Sequence, residues 1–107
     1  MLWEAMRTIF HPDIEDVALC RVLYALSDPI RLEVVRKLAN SGDATCFALD
    51  AGKPKSTMSH HFRVLREAGL VHTRIEGPTH INNLRRDDVD RRFPGLLSAV
   101  LFAGDDT

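Results

Sequence analysis

Apolar positions along this chain follow two periods, helical before residue 70 and alternating just after it. The first helical stretch covers residues 14–26. Ile14, Val17, Ala18, Leu19, Cys20, Val22, Leu23, Tyr24 and Leu26 point almost all the way round it, with Asp13, Glu15 and Asp16 at the positive end of its dipole. A helix apolar on every side is buried on more than one, and in so short a chain a second copy supplies one of the covers. The segment SDPIRLEVVRKLANSG predicts a second helix. Asp28 is its N-cap, Pro29 its first residue, and Ile30, Val34 and Leu38 recur at helical spacing. Lys37 sits in the last turn, and Asn40-Ser41-Gly42 ends the helix. ATCFALDAG reads as a short third helix closed by Gly52, and Pro54 forces a break after it.

A fourth helix, capped by Ser56 or its neighbour, runs to Ala68 with Gly69 just beyond its end. Met58, Phe62 and Leu65 form its apolar face; Ser56, His60, Arg63 and Glu67 lie opposite, with Ser59 at the edge. His61 falls beside Phe62 on the buried flank, so the adjacent His60 and His61 point apart and cannot chelate one metal ion. Then the period changes. Val71, Thr73 and Ile75 share one face, His72 and Arg74 the other. Glu76-Gly77-Pro78 turns, and His80 to Leu84 returns, giving a β-hairpin. RRDDVDRRFPGLLSAVLFAG closes the chain as a helical turn followed by a helix from Pro94, striped by Leu96, Leu97, Val100 and Leu101.

The 107 residues bound this to one domain: an arm over 1–13, a body over 14–103 and a tail over 104–107. No apolar run approaches the roughly 20 residues that span a bilayer, so no membrane partner is expected. Glu4 and Arg7 sit where a signal peptide would be apolar, so a cytoplasmic location is expected. The net charge of −1 conceals an asymmetry: residues 53–86 carry seven Lys or Arg against Glu67 and Glu76, between acidic flanks. A basic block of this kind suits a polyanionic partner, although an ordinary solvated surface has the same composition. Cys20 and Cys46 have neither the spacing of a zinc site nor that of a disulfide framework.

The expected fold is mostly α with a small β-hairpin wing, in the order α-α-α-α-β-β-α: a dimeric winged helix-turn-helix. Over residues 15–101 the chain resembles the ArsR/SmtB family of small dimeric bacterial transcriptional regulators. The resemblance is carried by ALSDPIRLEVVRKLA, by KSTMSHHFRVLREAGLV and by the Glu76-Gly77 turn. It implies a homodimeric repressor whose fourth helix (55–68) and wing (71–84) bind double-stranded DNA at an inverted-repeat operator. A recognition helix presents its N-terminal residues to base edges in the major groove. Ser56, Thr57, Ser59, His60 and Arg63 are then placed to contact bases, and Lys53, Lys55 and Arg66 to meet phosphates. The family commonly has a histidine at the position of His61, which packs at the helix base or bonds a phosphate. Arg74 and His80 belong to the wing. The dimer interface falls to the first and last helices, through Leu19, Leu23, Leu96, Leu97, Val100 and Leu101.

Metal-sensing members carry a Cys-x-Cys in the third helix or His and carboxylate pairs in the last. Here Cys46-Phe47-Ala48 lacks the second thiol and the last helix has no such ligand. No metal or cofactor is therefore expected, and an inducer stays unnamed. An alternative is a thiol- or metal-responsive sensor using Cys20 and Cys46, with His11 as a further ligand. A disulfide between the two cysteines needs their Cα atoms within roughly 7 Å. A winged helix serving only protein contact is the other alternative. No nucleophile, base and orienting group come together as in an enzyme; Ser59 and His60, as helix neighbours, point apart.

Overall fold

The computed structural model of the protein describes residues 9–50 and 52–103. The expected 104–107 tail and the first eight residues of the expected arm lie outside them. Helices α1 (Leu19–Leu26) and α2 (Pro29–Ser41) lead to a two-residue strand β1 (Ala44–Thr45) and a single-turn helix α3 (Cys46–Leu49). Then come α4 (Lys55–Glu67), strands β2 (Val71–Glu76) and β3 (Thr79–Leu84), α5 (Arg86–Arg92) and α6 (Leu96–Leu101). The strands form one antiparallel sheet in the order β1-β3-β2.

Local chemistry explains the elements that sequence reading located. Asp28 Oδ1 accepts from the backbone N–H of Ile30 (2.8 Å) and Arg31 (3.2 Å), starting α2 with Pro29 at its head. The hairpin pairs Val71 with Leu84 through Glu76 with Thr79, leaving a two-residue turn at Gly77-Pro78 rather than the three-residue turn expected. Gly77 takes φ +61°, and Pro78 fixes a negative φ after it; this combination suits a type II′ turn, whose twist matches the strands. Val71, Leu65, Leu70, Val34, Val35, Val22, Val89 and Leu97 fill the core, which lies between the helices and one face of the hairpin.

Four expectations are corrected. The 14–26 helix is broken: Ile14–Asp16 is a 3₁₀ turn, and Val17 and Ala18 are extended before α1 begins. The break lets both Ile14 and Val17 settle on Gly69, which has φ +74° and no room for a side chain. A Cβ there would stand 2.9 Å from Ile14 Cδ1 and 3.2 Å from Val17 Cγ2. Arg92 Nη2 donates to the Val17 carbonyl freed by the break (3.3 Å), and Glu15 faces Arg91 (3.7 Å) instead of serving the α1 dipole. Second, Ala44-Thr45 is a strand rather than the start of the third helix, because it pairs with Asn82 and Ile81. Third, α4 begins at Lys55 after Pro54, and no side chain caps it. Fourth, the last helix starts at Leu96; Pro94 and Gly95 form the preceding turn, with Gly95 at φ +83°.

The described end of the arm docks on the hairpin. His11 Nε2 accepts from the Thr73 N–H (2.9 Å), its ring stacks on His72 with centroids 4.2 Å apart, and Arg85 Nη1 donates to the Pro12 carbonyl (2.9 Å). Only a neutral imidazole accepts in this way. Burial, then the neighbouring His72, Arg66 and Arg85, push the His11 pKa down from 6.5 to about 4. The folded state thus resists a proton that the unfolded chain takes up. The contribution is intact above pH 6.5 and is lost as pH falls towards 4. It amounts to about 1–2 kcal/mol once solvent screening is allowed for. Thermal unfolding at pH 7 and pH 4.5 should show the wild type losing that much more than His11→Asn. Equal losses in both would mean that His11 carries no such linkage.

Candidate nucleic-acid interface

The polar face of α4 is built by its own periodicity. Met58, His61, Phe62, Val64 and Leu65 turn inward, which leaves Lys55, Ser56, Thr57, Ser59, His60 and Arg63 exposed along one side. Lys53, in the turn before the helix, is exposed too, and Arg66 is half-buried near the C-terminal end. The turn is held by Asp50, whose carbonyl accepts from the Lys53 N–H (2.9 Å) and whose Oδ1 accepts from the Gly52 N–H (2.9 Å). Among the described residues Lys53, Lys55, Arg63 and Arg66 make no ion pair, so their charge is free to act outward.

The wing stands beside this helix. Lys55 and Ser59 of α4 share one cleft of about 440 Å³ with Pro78 and His80 of the wing tip, so the two elements present their polar residues on the same side of the molecule. Arg74 is engaged within the wing: Nε meets Glu76 Oε2 at 2.6 Å and Nη1 meets Asp43 Oδ2 at 2.9 Å. These carboxylates raise the Arg74 pKa, through the Glu76 bond first and the Asp43 bond second. Arg85 and Arg86, counted in the basic block, pair with Asp88 (3.0 Å) and Asp90 (3.3 Å) on α5. The outward positive field is therefore narrower than residues 53–86 suggested and centres on α4.

His61 is set apart from the exposed row, packed at the helix base as the first of its two expected readings had it. It is buried, and Nδ1 lies 3.1 Å from Arg31 Nη1 inside the molecule. Leu97 departs from the expected dimer surface, being fully buried in its own chain. Leu19 and Leu23 keep 46% exposure each and Tyr24 keeps 54%; Leu96, Val100 and Leu101 are half-buried. Sequence reasoning missed Arg31, which is 4% exposed. It also missed the buried bond from Thr73 Oγ1 to Asn82 Oδ1 (2.6 Å), which joins β2 to β3. A signal for Arg31 existed: it begins the buried series Arg31, Val34, Val35, Leu38 at helical spacing. Cys20 is exposed and Cys46 half-buried, and both are free thiols; Asn82 Nδ2 lies 3.2 Å from Cys46 Sγ.

A family model described as a helix-turn-helix domain matches residues 26–74, which span α2, β1, α3, α4 and the start of β2. The HTH-type transcriptional regulator YceK of Bacillus subtilis is 36% identical over 89 residues, covering 80% of this chain and 89% of the relative. The arsenical resistance operon repressor of Staphylococcus xylosus is 34% identical over 73 residues, 67% of this chain and 70% of the relative. The protein belongs to the ArsR-type winged helix-turn-helix transcriptional regulators. It is a DNA-binding transcriptional regulator of the winged helix-turn-helix fold, in which α4 is followed by the β2-β3 hairpin. The homodimeric winged helix-turn-helix DNA-binding domain of Mycobacterium bovis superposes with a TM-score of 0.64 at 30% identity, covering 77% of this chain and 76% of that one. No helix among the described residues is long and apolar enough to cross a membrane. Those residues also contain no group of three or more His, Cys, Asp or Glu able to hold a metal ion.

Proposed function

We propose that the protein is a homodimeric repressor that binds an inverted-repeat operator in the cytoplasm, acting by binding and not by catalysis. The exposed row Ser56, Thr57, Ser59, His60 and Arg63 on α4, flanked by free cations and the wing, carries this reading. Residues 14–103 act as one DNA-binding and dimerisation domain. Lys53, Lys55 and Arg66 meet phosphates, and the groove-facing row meets base edges. His80 lines the wing side of the cleft beside α4, and Arg74 reaches DNA only by exchanging its carboxylate partners for phosphates. The dimer is supported by the apolar surface that α1 leaves at Leu19, Leu23 and Tyr24, and by the homodimeric relative of known structure. Repression is supported by the named function of the Staphylococcus xylosus relative.

A test begins with duplexes that the wild-type protein enriches from a random-sequence pool. Fluorescence anisotropy on the enriched duplex should show His60→Ala and Arg63→Ala each weakened by about 1–3 kcal/mol, as expected for a lost base contact. Both side chains are exposed, so thermal stability should stay within about 0.5 kcal/mol. Wild-type affinity in both variants would remove this face from the interface.

A further inference from the structure

Arg31 is buried, and among the described residues its guanidinium hydrogen-bonds no carboxylate. Its guanidinium instead joins three helices. Nε donates to the Ala25 carbonyl (2.8 Å) and Nη2 to the Tyr24 carbonyl (3.2 Å), both in the last turn of α1. The Tyr24 carbonyl also accepts from the Ser27 N–H (3.1 Å) and Oγ (2.7 Å), so Nη2 adds a further donor there, and a cation at that end suits the helix dipole. Nη1 lies 3.1 Å from His61 Nδ1, in the middle of α4. The guanidinium carbon also stands 5.0 Å from the centroid of the Tyr24 ring, which is half-exposed on α1. Arginine has donors only, so the facing Nδ1 must offer a lone pair. His61 is therefore neutral, with its proton on Nε2.

We propose that Arg31 is a positioning residue for DNA binding, locking the recognition helix to the C-terminal end of α1 through His61. The inference rests on the reading that α4 faces DNA and α1 faces a second copy. It adds the part that holds those two surfaces at a fixed relation. A displacement of α1 in the dimer is transmitted to α4 through one planar group, and the spacing of the two recognition helices follows. Protonating His61 sets two cations against each other and releases the tie. Asp28 at the head of α2 favours that proton; Arg31 on α2 and His60, with its ring centroid 5.5 Å away on α4, oppose it. Burial opposes it most, and the net effect holds the His61 pKa below 6.5.

The test combines one spectroscopic and one binding measurement. Long-range proton–nitrogen NMR on the wild type should show His61 neutral, protonated at Nε2 and bare at Nδ1. In Arg31→Gln the His61 pKa should rise, because the opposing cation is gone. On the enriched duplex, Arg31→Gln and Arg31→Lys should remain dimeric by sedimentation yet bind about tenfold more weakly; a lysine cannot span all three partners. His61→Gln keeps an acceptor towards Arg31 and should bind within about threefold of wild type at pH 7.5. It should lose the part of the affinity decrease below pH 6.5 that the wild type owes to His61. The other four histidines are common to both proteins, so the difference between the two profiles isolates one ring. A proton on Nδ1 of His61, or wild-type affinity in a folded Arg31→Gln dimer, overturns the proposal. Identical pH profiles for the wild type and His61→Gln overturn it as well. If the wild type enriches no duplex, the DNA reading fails on its own, and the NMR result still decides whether Arg31 holds His61.

Discussion

Leu23→Glu should yield a folded monomer whose affinity for the enriched duplex is about a thousandfold lower than that of the wild type. Leu23 is 46% exposed on α1, while its neighbour Val22 is fully buried. A carboxylate at position 23 therefore stays in water in the single chain and leaves the core intact. In the proposed dimer the same carboxylate would be desolvated without a partner, at a cost of several kcal/mol. A monomer holds one half-site only, and its binding falls towards the non-specific level, which typically lies at least 10³-fold weaker. That factor corresponds to about 4 kcal/mol. Sedimentation equilibrium, circular dichroism and anisotropy on one sample decide the matter. A variant that stays dimeric, or a monomer with full affinity, would show that α1 does not make the functional contact.

The matching substitution on α6 should behave differently. Leu97→Glu should fail to fold, and Leu97→Ala should lose about 2–5 kcal/mol, because Leu97 is fully buried in its own chain. For a domain of this size that loss lowers the Tm by about 10 °C or more. An unpaired buried carboxylate costs more than the cavity, and a marginally stable domain cannot absorb it. Thermal unfolding followed by circular dichroism checks both variants. If Leu97→Glu melts like the wild type but sediments as a monomer, then Leu97 belongs to the subunit interface and the core assignment is wrong.

These two leucines mark where sequence reading runs out. Periodicity shows that a helix is apolar, but not whether its apolar side meets its own sheet or a second copy; Leu19, Leu23 and Leu97 read alike. Helix α2 was legible because Asp28, Pro29 and Gly42 punctuate it locally. The hairpin was legible because its alternation and its Gly77-Pro78 turn need no distant partner. Strand β1 was not, since Ala44 and Thr45 become a strand only by pairing with Asn82 and Ile81, far along the chain. The break at Val17 depends on Gly69 in the same way. On α4 the exposed row was legible from the 3.6-residue repeat, and so was the inward turn of His61. Its role was not, because Arg31 lies thirty positions away and reads as a surface charge until its carbonyl partners are known.

The arm's contact with Thr73 bears on solubility as well as on pH. Strand β2 is an edge of the sheet: it pairs with β3 on one side, and among the described residues no strand pairs with its other side. An outer strand with open N–H groups is a template on which another chain can add, the start of many aggregates. The His11 ring occupies one of those groups and, with Pro12 held by Arg85, lays chain across the approach. Removing residues 1–13 would bare that margin. The shortened protein should self-associate at concentrations where the whole chain stays dispersed, and light scattering on the two side by side would measure how far a single imidazole guards the sheet.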